Sequence, residues 1–230
     1  MSIKKSLAIF DVDKTMFPGY SIIYFAEFLT RHDHFKMEEW REFERVISEY
    51  KKGSFGYNDF VVLIVDSYAR GIGGQKVDDV NKLSKLFWED RIETIYGYVR
   101  PLFTDLSRVN AEIIVVSGST TESILPMLNN LRIERYFCTQ IEVSEGVFLP
   151  NVGINAAAHE GKMEIVKRLG ENMGQYEQIY GFGDSVADLS FLELVNRPVV
   201  IGNHDKELAE VAKREGWKIV LDPNSERVEI

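Results

Sequence analysis

Ala8-Ile9-Phe10-Asp11-Val12-Asp13-Lys14-Thr15 is the stretch on which the reading of this chain turns. A short apolar run stops at two carboxylates one residue apart, followed by a hydroxyl. Residues two apart in a strand face the same side, so Asp11 and Asp13 point together if the strand continues. They converge if it curls into a loop. Two acids at the carboxyl end of a buried strand are costly unless something compensates them, and a divalent cation is the obvious candidate.

At 230 residues with 45% hydrophobic content, the chain is one large domain or a core with an insertion. No apolar run approaches the ~20 residues of a membrane span, and Met1 to Ser6 leads straight into a strand-like run with no signal-peptide pattern. The expectation is a cytoplasmic protein with no membrane partner. Cys138 is the single cysteine, which excludes an intrachain disulfide and a multi-cysteine zinc site; it reads as a core or strand residue. A net charge of -9 argues against nonspecific nucleic-acid binding. It leaves room for a phosphorylated substrate held by a metal and one or two placed cations. No sequence feature indicates the oligomeric state.

Working outward, residues 6–11 read as a buried strand, and no second strand follows for ~90 residues. Four helical patterns come instead, over roughly 20–32, 37–51, 58–71 and 76–95, with Asn58 as a plausible cap and Gly71 to Gly74 as a break. After Gly97 the pattern alternates. A helix covers 101–109, a strand 112–116 ends at Ser117-Gly118-Ser119-Thr120, and a helix containing Pro126 covers 122–131. Two strands over 138–149 turn at Glu145-Gly146. A helix over 164–169 follows Gly161-Lys162, and a strand over 178–182 ends at Gly183-Asp184-Ser185. A short helix at 189–194, a strand at 198–201, a helix at 207–216 and a strand at 218–221 complete the pattern, leaving a polar tail from Pro223. Strands separated by helices imply an α/β fold, a parallel sheet covered on both faces.

Three strand ends carry polar residues: Asp11 and Asp13, Ser117, and Asp184 with Asp188. In an open parallel sheet those ends form the ligand crevice. Lys162 opens a helix after a glycine. Singly, each has an ordinary explanation as a turn, a helix cap or a solvated lysine. All four in this order, at the ends of alternating elements, point to one site.

These motifs resemble the haloacid dehalogenase superfamily of phosphohydrolases, in the branch related to phosphoserine phosphatase (subfamily IB). Asp11-Val12-Asp13-Lys14-Thr15 is similar to its first motif, Asp-x-Asp-x-Thr. Ser117 matches the Ser/Thr of the second, Lys162 the lysine of the third, and Gly183-Asp184-Ser185-Val186-Ala187-Asp188 the fourth, Gly-Asp-x-x-x-Asp. The segments Gly202 to Leu208 and Gly216-Trp217 resemble that branch's C-terminal region. The resemblance implies a Rossmann-like catalytic core over 1–18 and 98–230 and a helical cap over 19–97. It implies a phosphomonoester hydrolase acting on a small phosphorylated metabolite, with Asp11 as nucleophile through an aspartyl-phosphate. Asp13 becomes the acid and base. Mg2+ is the implied cofactor, held by the Asp11 and Asp184 side chains and the Asp13 backbone carbonyl, with Asp188 either a further ligand or, the preferred reading, orienting from behind. Ser117, Gly118 and Lys162 would hold phosphoryl oxygens, Lys162 would also restrain Asp11, and Thr15 would organise the loop. The second aspartate argues against carbon–halogen cleavage, since a halide needs no acid to leave.

Where phosphoserine phosphatases carry an early cap glutamate, this chain has Tyr20, with Glu27 nearby. The Asn usually found before the second acid of the fourth motif is Ala187 here. Both departures weigh against phosphoserine as substrate. The cap aromatics read as packing, and Arg31, Arg41 and Arg45 as solvated faces. His32, His34, His159 and His204 lack metal-ligand spacing and receive no role. Two alternatives remain open: a phosphotransferase using the same intermediate, and a non-catalytic phospho-ligand-binding protein.

Overall fold

A computed structural model describes residues 5–157, 159–171, 173–225 and 227–229. Seven strands form one sheet in the order β4-β3-β2-β1-β5-β6-β7. They are β1 (Lys5–Phe10), β2 (Ala111–Thr120), β3 (Arg135–Ser144), β4 (Val147–Ile154), β5 (Tyr176–Gly183), β6 (Arg197–Ile201) and β7 (Lys218–Val220). Only β3 and β4 pair antiparallel; the other pairs are parallel. β1 lies between β2 and β5, and the chain order runs outward from it in both directions, so the switch point falls at the carboxyl end of β1.

The near-continuous apolar run of β1 follows from burial on both faces. Ala8 and Phe10 join one core, and Leu7 and Ile9 the other. Phe10 stacks on Phe182 of β5 at 4.2 Å. The first face is covered by α5 (Val99–Arg108) and α6 (Thr121–Asn130). The second is covered by α7 (His159–Gly170), α8 (Leu189–Leu192) and α9 (Lys206–Glu215). Between β1 and β2 run α1 (Ser21–Arg31), α2 (Met37–Lys51), α3 (Tyr57–Ile72) and α4 (Val77–Glu89), then a 3-10 turn at Ile92–Thr94. No helix among the described residues is long and apolar enough to cross a membrane.

Several boundaries differ from the sequence reading for physical reasons. Helix α3 starts after Gly56, so Asn58 lies in its first turn and is not the cap. It also runs through Gly71, where a side chain would collide with the Phe35 ring, so this glycine permits packing and does not break the helix. Strand β2 continues to Thr120, but its register against β3 slips between Ser117 and Thr120, leaving Gly118 and Ser119 outside the ladder. Lys162 lies inside α7, not ahead of it. The β3–β4 turn matches its Glu145-Gly146 signal, with both residues at positive φ (50° and 76°).

Two devices tie α1–α4 to the sheet. The β4 edge is covered by the chain between α3 and α4, where Gly74 N donates to Phe148 O at 2.8 Å and Phe148 N to Gln75 O at 2.9 Å. In α6, Pro126 lacks the N–H that would bond the Glu122 carbonyl; Ser84 Oγ of α4 donates to it instead. Trp88 Nε1 donates to the neighbouring Ser123 carbonyl at 2.7 Å. Among the described residues the tail has no helix or strand, yet it is anchored: Tyr98 N donates to Pro223 O at 3.1 Å, and Val228 is buried.

Candidate active site

Past Phe10 the chain leaves the sheet. Asp11 N donates to Phe182 O at 2.9 Å, extending the β1–β5 ladder by one residue, and then the backbone turns. Met16 N donates to Val12 O at 2.7 Å, and Lys14 adopts a left-handed φ of 58°. The curl gives the two carboxylates different partners, while both line one cavity. Asp11 meets Lys162 Nζ at 2.9 Å. Asp13 receives Ser21 N at 2.9 Å on Oδ1 and Ser119 Oγ at 2.6 Å on Oδ2.

Lys162 is buried and bonds a second acid, Asp188, at 2.5 Å. The other oxygen of Asp188 accepts from Asp184 N at 2.9 Å and Ser185 N at 3.1 Å. A side chain at Gly183 would overlap Asp188, so only glycine lets this acid close beneath the loop. Asp184 takes a hydrogen bond from Thr15 Oγ1 at 3.4 Å and lies 3.2 Å from His204 Nε2.

Carboxylate oxygens of Asp11, Asp184 and Asp188 lie within 4.8 Å of one another, all three residues buried. Burial pushes the Asp11 carboxyl well above the ordinary carboxylate range; Lys162 pulls it back, and the other acids push it further. Burial likewise raises Asp184 to about 6, against the opposing pull of His204. Burial depresses the Lys162 ammonium, but Asp11 and Asp188 outweigh it and its pKa rises. One buried lysine among three clustered acids leaves excess negative charge, and hard oxygen donors suit a divalent cation. Asp11, Asp184 and Asp188 are the side chains that could hold one, and Asp188 also anchors Lys162 and the Asp184 and Ser185 amides.

Asp13 is a separate case. Burial raises it, and the hydrogen bonds from Ser119 and Ser21 moderate the shift. Ser21 Oγ donates to Ser119 Oγ at 2.7 Å, so a short chain of hydroxyls ends on this acid.

A narrow cavity of about 50 Å³ opens over Asp11, Asp13, Lys162 and Asp184, with Gly118 and Ser119 in its wall. Ser117 sits behind that wall, fully buried, its Oγ accepting from Ser119 N at 3.2 Å. The structure thus brings Asp11, Asp13, Gly118, Lys162 and Asp184 around one space, with Thr15 and Asp188 bonded to that set from behind and Ser117 also a layer back.

Three participants receive no role from the sequence: Ser21, Ser119 and His204. Ser119 lies two residues past Ser117, and His204 follows the end of β6. Gly202, at φ 75°, leaves room for the His204 ring to fold back over it. Arg31 and Arg45 pair with Glu27 and Glu42, and Arg41 is exposed. Cys138 is buried in the core, where burial raises its thiol pKa.

The profile of the haloacid dehalogenase-like hydrolase family matches residues 8–193. Among curated relatives, a protein named probable phosphatase from Mycobacterium tuberculosis is 28% identical over 137 residues, 56% of this chain and 47% of that one. The inhibition of morphological differentiation protein of Streptomyces azureus is 27% identical over 150 residues, 64% of this chain and 53% of that one. The chain spans about half the length of these relatives. In solved structures, a protein of unknown function from Bordetella pertussis Tohama I superposes with TM-score 0.78 at 21% identity, covering 94% of this chain and 98% of that one. A substrate-bound phosphoserine phosphatase superposes with TM-score 0.65 at 15% identity, covering 96% and 95%. At these identities the superpositions show a shared fold. The family profile, together with that fold, places this chain in the haloacid dehalogenase-like hydrolase family.

Proposed function

We propose that this protein is a Mg2+-dependent phosphomonoesterase acting through an aspartyl-phosphate. The observation that carries this reading is the division between its two leading acids. Asp11 is held by a lysine beside the candidate cation site, while Asp13 rests among hydroxyls. Paired carboxyls in unlike environments take unlike roles.

Asp11 attacks phosphorus, forming an Asp11 oxygen–phosphorus bond as the ester oxygen–phosphorus bond breaks. Lys162 holds Asp11 in place and offers a cation to the phosphoryl oxygens. Asp13, whose raised pKa favours its protonated form, gives its proton to the departing alkoxide. It then takes a proton from water as that water attacks phosphorus, releasing phosphate and restoring the Asp11 carboxylate. Asp11 and Asp184, with the Asp13 carbonyl by family resemblance, would hold Mg2+, which neutralises charge between two anions. Gly118 borders the phosphoryl position, Ser117 supports it from behind, and Thr15 and Asp188 fix the loop and Lys162. Residues 19–97 serve as a cap over a core of 1–18 and 98–230, excluding water during attack.

The test is phosphate release from a panel of small phosphomonoesters with and without Mg2+. Mg2+-dependent release is expected, abolished in Asp11→Asn with the fold intact. A variant that still releases phosphate at the wild-type rate overturns the assignment. Phosphate passing to an added alcohol in place of water would favour the transferase.

A further inference from the structure

The two sides of the cavity differ in chemistry. The sheet side carries the acids, Lys162 and Ser119. The side contributed by residues 19–97 carries no charged side chain. Ile22 and Ile23 come from the first turn of α1. Phe60, Val61, Ile64 and Val65 come from α3, where their spacing puts them on one helix face. Tyr20 and Tyr57 complete this wall. Phe60 is held from behind by stacking on Tyr50 at 4.3 Å and by the Tyr20 ring edge at 5.7 Å.

The other nearby cations already have partners and do not line the cavity. Lys14 Nζ donates to the Tyr20 hydroxyl at 2.7 Å. Arg31 pairs with Glu27, Arg45 with Glu42 and Arg70 with Glu39, outside the cavity wall. Glu27 therefore does not stand in for a cavity glutamate at the Tyr20 position.

A charged leaving group would meet a wall of mostly aliphatic and aromatic carbon with no charged side chain to pair with, at a large desolvation cost. An uncharged apolar group would gain by burial on the same surface. The narrowness of the cavity further favours a small group. Resting on the phosphomonoesterase reading above, we propose that the leaving group is a small, uncharged, predominantly apolar alcohol or phenol, recognised by the Ile22–Ile23 turn and the Phe60–Ile64 face. Phosphoserine, with an ammonium and a carboxylate on its leaving group, is discriminated against.

The test measures kcat/KM with Mg2+ for n-propyl, n-butyl and benzyl phosphate beside O-phospho-L-serine. The esters of uncharged alcohols are expected to exceed phosphoserine by roughly 100-fold or more, the scale on which an apolar pocket plus an unpaired charge discriminates. Equal or better turnover of phosphoserine overturns the substrate class while leaving the phosphatase reading standing. Failure to hydrolyse any of the four, with Mg2+ present, overturns the phosphatase reading and this inference with it. In Ile23→Lys, the preference for benzyl phosphate over phosphoserine should fall by about 10-fold or more; Ile23→Ala, which adds no charge, should keep most of it. An unchanged ratio in a folded Ile23→Lys protein overturns the assignment of this wall.

Discussion

Ser119 Oγ donates to Asp13 Oδ2 at 2.6 Å, a bond between residues 106 positions apart in the chain. It exists because the β2 register slips just before Thr120 and turns Ser119 out of the ladder. Ser21, at the start of α1, closes the same network from the other side. The proposed acid and base is therefore held jointly by the sheet and by the first inserted helix.

Removing that hydroxyl should mark Asp13. The bond stabilises the carboxylate, so Ser119→Ala should raise the Asp13 pKa and move its limb of the pH–rate profile to higher pH. A hydrogen bond to a charged group is worth about 1.5–3 kcal/mol, so kcat should fall roughly 10–100-fold. Ser119→Thr should restore most of the rate. An unshifted profile with normal kcat would remove Ser119 from the positioning of Asp13.

Cation binding should appear in stability as well as in rate. Without a cation, Asp184 holds its proton up to a pH of about 6, above the ordinary value near 3.8. The folded state then binds more protons than the unfolded state in that window, so stability falls as pH rises from about 4 to about 6 and stays reduced above it. Mg2+ should recover this at pH 7.5 and raise Tm by roughly 3 °C or more. Asp184→Asn should lose the Mg2+ response and show a higher metal-free Tm than wild type at that pH. A full Mg2+ shift in Asp184→Asn would place the ion elsewhere.

Lys162 answers two buried acids at once, so its loss leaves both without their cation. Lys162→Met should cost about 3–5 kcal/mol of stability, readable in urea unfolding, and should eliminate turnover. Adding Asp188→Asn should restore part of the stability and none of the rate. If Lys162→Met unfolds at the wild-type midpoint, the buried ion pairs contribute nothing.

Another buried acid lies away from the site. Glu122 is buried at the start of α6, and burial raises its pKa. Tyr68 Oη, Thr120 Oγ1 and Glu122 Oε1 interact electrostatically, yet none has a well-formed hydrogen bond. Since the folded state keeps this proton longer than the unfolded one, Glu122 costs stability as pH rises above the ordinary glutamate range. Glu122→Gln should be near neutral at pH 4.5 and stabilising by about 1 kcal/mol at pH 7.5. Thermal melts at the two pH values check this; an equal effect at both would show that the carboxyl does not titrate differently on folding.

Much of the architecture was legible along the chain. Apolar runs ending in Asp11, Ser117 and Asp184 mark strands buried on both faces, and their alternation with helices forces a parallel sheet whose carboxyl ends converge. The 37–51 helix was readable because one apolar stripe repeats at helical spacing. Gly71 misled because a glycine in a helix signals a break locally, and only the Phe35 ring from another segment gives it a different purpose.

The residue types gathered at the strand ends, and their order, were determined by the sequence alone, since local pattern places a side chain at the end of a strand whatever packs beside it. Tertiary structure decided how those groups pair. Lys162 reaches Asp11 across 151 residues and His204 reaches Asp184 across 20, and the slipped β2 register exchanges Ser119 for Ser117 at the cavity wall. Hydrogen bonds and desolvation depend on distance in space, which no local pattern encodes. The apolar character of the α3 face was written in the chain, but that it covers Asp11, where it would meet a leaving group, is a consequence of the fold.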